Sequence, residues 1–155
     1  MTTPLRNDAQ GMSRREEMTV STAAMTDVPW AVAGAAGVVV TGADLAFHLL
    51  GGHLVLTSSL AAGTVAAFTV AGGSVVIRRN ASRAARWARS HPWRFAVLPG
   101  VATAAVVFVL AVIGPSGLFG GLFTALWHGA ITFGLTGAAG TITRSSRSEK
   151  RSTSY

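Results

Sequence analysis

Arg78–Arg94 reads RRNASRAARWARSHPWR and holds six of the chain's thirteen Lys and Arg residues. Long apolar runs stand on both sides of it. A basic segment between two such runs is the hinge of a membrane topology, because Lys and Arg collect on the cytoplasmic side of the spans they connect. The rest of the chain is read outward from this hinge.

Downstream, 95–114 (FAVLPGVATAAVVFVLAVIG) contains no charged residue. At about 1.5 Å per residue, some twenty helical residues cross a hydrocarbon core of about 30 Å. Pro99 is expected in the first turn, where its missing N–H costs little. Pro115 and Ser116 make a tight turn, and 117–140 is the next apolar run. Upstream, 53–77 is interrupted only by Ser and Thr, whose hydroxyls can bond carbonyls of their own helix. Gly51 and Gly52 form a turn before it. The first run, 29–50, opens with Pro29 and with Trp30 at headgroup level, and is broken by Asp44 and His48. The expected fold is all-α and integral to the membrane: four transmembrane helices in two antiparallel hairpins, as one domain over 29–140.

The ends are expected to behave differently. Residues 1–28 are polar and mixed in charge, and 141–155 are basic and rich in Ser and Thr. Both read as disordered tails. Lys and Arg number three in the first tail, six in the central loop and four in the last tail, and the two tight turns carry none. The positive-inside rule therefore sets both termini and the loop in the cytoplasm, as in a multi-pass protein of the cell (inner) membrane. Only 12% of the chain is charged, about half the share in soluble domains. The net charge of +7 is read as lipid-facing, towards anionic headgroups, and nucleic acid is disfavoured as a partner. The scarcity of Lys and abundance of Arg, Ala, Gly and Val suggest a GC-rich bacterial source.

Within the loop, Arg79, Arg83 and Arg86 recur at helical spacing, with alanines between them and Trp87 and Trp93 alongside. A short helix on the inner membrane surface fits this pattern, with Arg78, Arg79, Arg83, Arg86, Arg89 and Arg94 available to anionic lipid or to a cytoplasmic protein partner.

In the fourth run, Gly117, Gly121, Ala125 and Gly129 recur every four residues. Such a stripe lets two helix backbones approach closely, either inside the bundle or between copies in a homo-oligomer. Beside it runs a polar edge, Thr124, His128, Thr132 and Thr136; the second run has a fainter stripe, Ser59, Gly63, Ala67 and Ala71.

Asp44 is the one acidic residue inside an apolar run, and His48 follows it by one helical turn. An ionisable residue in a membrane span is expensive and so marks a candidate site. Asp44 with His48, or with His128 at similar depth on the fourth helix, could carry protons or hold a cation. The competing reading is a structural polar contact. The four His residues do not have the spacing of a haem or metal site, so neither metal nor cofactor is expected. The absence of Cys rules out disulfides, thiolate ligands and thiol redox chemistry. No phosphate loop, nucleophile elbow or metalloprotease motif is present, and the chain is read as non-catalytic.

In layout alone, the chain resembles bacteriophage holins and the small membrane proteins that help plasmids spread between mycelial bacteria; no sequence motif carries the resemblance. It implies a self-associating protein of membrane assembly or permeabilisation. Two other readings remain: a small proton- or cation-coupled transporter using Asp44, and a membrane anchor recruiting a cytoplasmic partner through the arginine-rich loop.

Overall fold

The computed structural model describes residues 14–26, 28–52, 55–77 and 83–152, with described side chains ending at Thr143. Its helices are α1 (Arg14–Thr26), α2 (Trp30–Leu50), α3 (Leu56–Ile77), α4 (Arg83–Ser90), α5 (Pro92–Ile113) and α6 (Gly117–Ser152). No strand occurs among the described residues. Four segments are long and apolar enough to cross a membrane: Trp30–Leu50, Leu56–Ile77, Pro92–Ile113 and Gly117–Thr143. Many large apolar side chains point outward, among them Val38, Phe47, Val101, Val109, Ile113, Phe119, Phe123 and Trp127. An apolar surface this extensive is costly in water and ordinary in lipid. The chain is a membrane protein.

The turns follow from local chemistry. Gly51 caps α2, and Gly52 turns the chain with φ of 76°, a left-handed value that glycine adopts without strain. Gly117 opens α6 with φ of 63°. Pro92 stands at the start of α5, where no N–H is needed.

Some boundaries differ from the sequence reading. The third span starts at Pro92 rather than Phe95, so Trp93 and Arg94 belong to the first turn of α5 and not to the loop. Pro99 accordingly lies inside the helix, not in its first turn. Its missing N–H leaves the Phe95 carbonyl without its usual partner. The two tails are not wholly irregular. Arg14–Thr26 forms a helix, and α6 continues past Gly140 to Ser152. Polarity argues against burial, not against helix, and an existing helix extends more readily than a new one nucleates. The expected disorder of residues 1–13 and 153–155 lies outside the described residues, as do Arg78, Arg79 and His53.

The bundle is layered around α3. Helix α5 packs on α6 along small residues: Gly121 against Ala111 and Val112, Gly129 against Ala104, Gly137 against Trp93, and Gly140 against Pro92. The contacts climb one helix as they descend the other. Helix α3 meets both members of this pair, with Gly72 beside Thr136 and Pro99, and Thr57 beside Gly114. Its opposite side, Ser59, Gly63 and Ala67, receives α2 through Asp44, Thr41 and Gly37. Helix α3 therefore stands between α2 and the α5–α6 pair.

At one end a shared core ties the short helices to the long ones. Val28, Ala33, Ala71, Val75, Val76 and Phe95 are buried there together with Ala84, Ala85 and Ala88 of α4. The short helix expected in the loop thus exists, seated by its alanine face.

Candidate functional site

The polar groups of α2 gather on the face turned to α3. Gly37, Thr41, Asp44 and His48 follow one another by three or four residues, so they share that face. The crossing is close because neither backbone carries a side chain at its tightest point. A Cβ on Gly37 would come 2.9 Å from the Gly63 carbonyl oxygen, and a Cβ on Gly63 would run into the Thr41 hydroxyl.

One helical turn beyond this crossing, the Ser59 hydroxyl donates to Asp44 Oδ2 at 2.7 Å. Its oxygen also lies 3.2 Å from the Val55 carbonyl, a second acceptor for the same proton. His48 Nδ1 sits 2.8 Å from the Asp44 backbone carbonyl and 3.3 Å from Asp44 Oδ2. A carbonyl can only accept, so Nδ1 carries the proton in that contact. Ser59 is fully buried, whereas the side chains of Asp44 and His48 remain 33% and 36% exposed on the flank of α2.

This arrangement constrains the chemistry. Serine, histidine and aspartate are neighbours, but the serine proton points to the carboxylate and not to the imidazole. A nucleophilic serine needs the histidine as its base, and that contact is missing from this constellation. Among the described residues no three His, Asp or Glu side chains converge as metal ligands would. The site suits holding a proton, sharing one between carboxylate and imidazole, or bonding another polar chain.

The pairing of Asp44 with His128 does not form. His128 Nδ1 lies 2.7 Å from the Thr124 carbonyl on its own helix, and α3 stands between α2 and α6. Residue counting gave the depth of the two residues, but their in-plane positions depend on which helices are neighbours. The polar edge on α6 is internal in its deeper half. Thr132 donates to the His128 carbonyl at 3.1 Å, while the buried hydroxyls of Thr69, Thr103 and Thr136 have no partner.

The small stripe of α6 divides. Gly121, Ala125 and Gly129 are buried, and the two glycines pack directly on α5; Gly117 is exposed at the turn. Among the loop arginines, Arg86 and Arg94 are exposed and Arg89 is half-buried with its Nε donating to the Ala85 carbonyl at 3.3 Å. Arg83 begins α4.

Ser59 is the hydrogen-bond partner of Asp44 that the sequence reading missed. A signal for it was present: Asp44 lies seven positions before Gly51, and Ser59 seven positions after Gly52. Counting outward from a tight turn pairs residues across a hairpin.

No protein-family model, curated protein or solved structure matches this chain.

Proposed function

We propose that the chain is a non-catalytic, multi-spanning protein of a bacterial inner membrane that self-associates and acts in membrane assembly or permeabilisation. Its four spans form two antiparallel hairpins, with both termini and α4 on the cytoplasmic side, a reading supported by the distribution of Lys and Arg.

The observation that carries self-association is the exposure of Asp44 and His48. Ionisable residues within a span face a bundle interior or a water-filled cavity, because lipid solvates them poorly. In a single chain this pair is about one-third open on the flank of α2. A second copy packed on that flank covers it and offers polar partners. The contact surface is therefore assigned to α2 and not to the stripe on α6, most of which α5 already occupies.

Single cysteines test this directly, since the chain has none of its own. Phe47 lies exposed beside the Asp44–His48 pair, and Val109 is exposed on α5. In native membranes under mild oxidation, Phe47→Cys should form a disulfide-linked dimer and Val109→Cys should not. Monomers only in the Phe47→Cys membranes would sink the proposal.

A transport reading is favoured by the same hydrogen-bonded carboxylate beside an imidazole, since such a pair is suited to passing a proton. Liposomes separate the two. Leakage of dye and protons that survives Asp44→Asn supports a permeabilising assembly. Proton flux that vanishes in Asp44→Asn, with dye retained, supports coupled transport.

A further inference from the structure

The cytoplasm-directed segment between the second and third spans is a built surface. In α4, Ala84, Ala85 and Ala88 fall on one face and are buried against the core formed by Val28, Val75, Val76 and Phe95. The opposite face carries Arg86 and Ser90, both exposed, with Trp87 and Arg89 on its two edges. Turning this helix over would bring guanidinium groups into an apolar core, so the packing fixes which side the arginines occupy.

The edges are also held. Arg89 Nε donates to the Ala85 carbonyl at 3.3 Å, which uses one of the five guanidinium donors and keeps the four on the two terminal nitrogens for other acceptors. Trp87 stacks on His91 with ring centroids 5.5 Å apart and planes inclined by 25°. Only His91 separates α4 from α5, and the first turn of α5 carries the exposed Trp93 and Arg94. The uncharged part of the third span begins at Phe95. Trp93 and Arg94 therefore stand at the level where hydrocarbon gives way to headgroups, and α4 ends just before that level, at Ser90.

We infer that the outward face of α4 and the start of α5 form a docking surface for anionic phospholipid headgroups, with Arg86 and Arg89 as its phosphate-binding residues and Trp87 and Trp93 as its interfacial anchors. Charge complementarity and position select this occupant. Guanidinium groups bind phosphate oxygens in paired hydrogen bonds. Indole rings favour the headgroup layer. A surface continuous with the start of a span meets lipid before it meets any soluble molecule. The inference stands whether or not α2 self-associates.

The test uses the full chain in nanodiscs containing phosphatidylglycerol and phosphatidylcholine in equal amounts, with native mass spectrometry reading the lipids that stay bound. Three proteins are compared: wild type, Arg86→Gln/Arg89→Gln, and Arg86→Lys/Arg89→Lys. Wild type should retain phosphatidylglycerol preferentially. The glutamine variant should lose that preference by about thirtyfold, from the contribution of two cationic side chains near an anionic surface. The lysine variant should keep most of it, since the charge remains. A second arm adds inorganic phosphate to the wild-type sample; lipid retention should persist. Undiminished preference in the glutamine variant overturns the inference. So does an equal loss in both variants, which would trace the effect to disturbed packing of α4. Displacement of the lipid by inorganic phosphate would overturn it as well, by showing a site for the free ion.

Discussion

The α5–α6 pair and the α2–α3 pair both depend on glycine, yet they are held in different ways. Between α5 and α6 the small residues recur along the whole contact, from Gly121 at Ala111 to Gly140 at Pro92. That interface is continuous. Between α2 and α3 there is one tight crossing at Gly37 and Gly63, followed by a polar clasp from Ser59 to Asp44. The rest of α2 presents Val32, Val38, Val39 and Phe47 to its surroundings. In lipid, apolar area gives little drive for helices to associate, so close packing and hydrogen bonds must supply it. The first pair has abundant packing. The second relies on a short contact and a hydrogen bond, and is the part of the bundle best suited to exchange partners.

This difference can be broken at its strong side first. A Cβ at Gly129 would stand 2.9 Å from both Ala104 Cβ and the Gly100 carbonyl oxygen, one of them backbone that cannot swing away. Gly129→Leu is expected to cost about 3 kcal/mol or more and to unfold the bundle as a whole. Thermal unfolding in detergent, followed by circular dichroism, reads this. A variant that melts like wild type would mean the stripe does not lie against α5.

The weak side should fail locally. At Gly63 a Cβ would come 2.6 Å from the Gly37 carbonyl oxygen as well as meeting Thr41. Gly63→Leu is expected to cost about 2 kcal/mol, concentrated in α2. Hydrogen exchange should speed up along α2 and stay unchanged in α5 and α6. Uniform acceleration across all four spans would show that α2 is as integral as the others.

Ser59→Ala removes the donor to Asp44 and leaves the crossing intact. The expected loss is about 1 kcal/mol, again confined to α2 exchange. Combined with Asp44→Asn in a double-mutant cycle, it should show a coupling of similar size, since the two groups touch. Strict additivity would separate them.

What the sequence made legible divides along the same line. Runs such as 95–114 announce a span because length and hydropathy are summed along the chain and need no knowledge of neighbours. The alanine face of α4 was readable for a related reason: helical periodicity is local. The partners of Asp44 were not readable in that way. Its depth followed from residue counting, which made His128 a plausible companion, but the side of α3 on which each helix lies is set by packing. Pro92 illustrates the boundary error. Arg94 makes 92–94 look like loop, yet proline is favoured at the opening of a helix and Gly140 leaves room for its ring. A charge at headgroup level ends the apolar run without ending the helix.

The smallest expected effect sharpens the comparison most, because it asks whether polarity inside the strong layer resembles polarity at the clasp. Thr136 is fully buried beside Gly72, which Pro99 also approaches, and its hydroxyl has no hydrogen-bond partner. Threonine and valine have nearly the same shape. Where a buried hydroxyl is bonded, the exchange loses that bond; where it is not, the exchange removes a desolvated dipole and keeps the packing. Thr136→Val should therefore change stability by less than about 0.5 kcal/mol, or raise it slightly. Ser59→Ala, by contrast, should be measurably harmful, although serine is the smaller side chain. The decisive quantity is the difference between the two in one detergent at one temperature. A loss above about 1 kcal/mol in Thr136→Val would mean that its hydroxyl has a partner after all, and the Phe95 carbonyl freed by Pro99 is the first acceptor to examine. The α3–α5–α6 layer would then rest on a buried hydrogen bond as well as on close packing, and both halves of the bundle would be held by polar clasps.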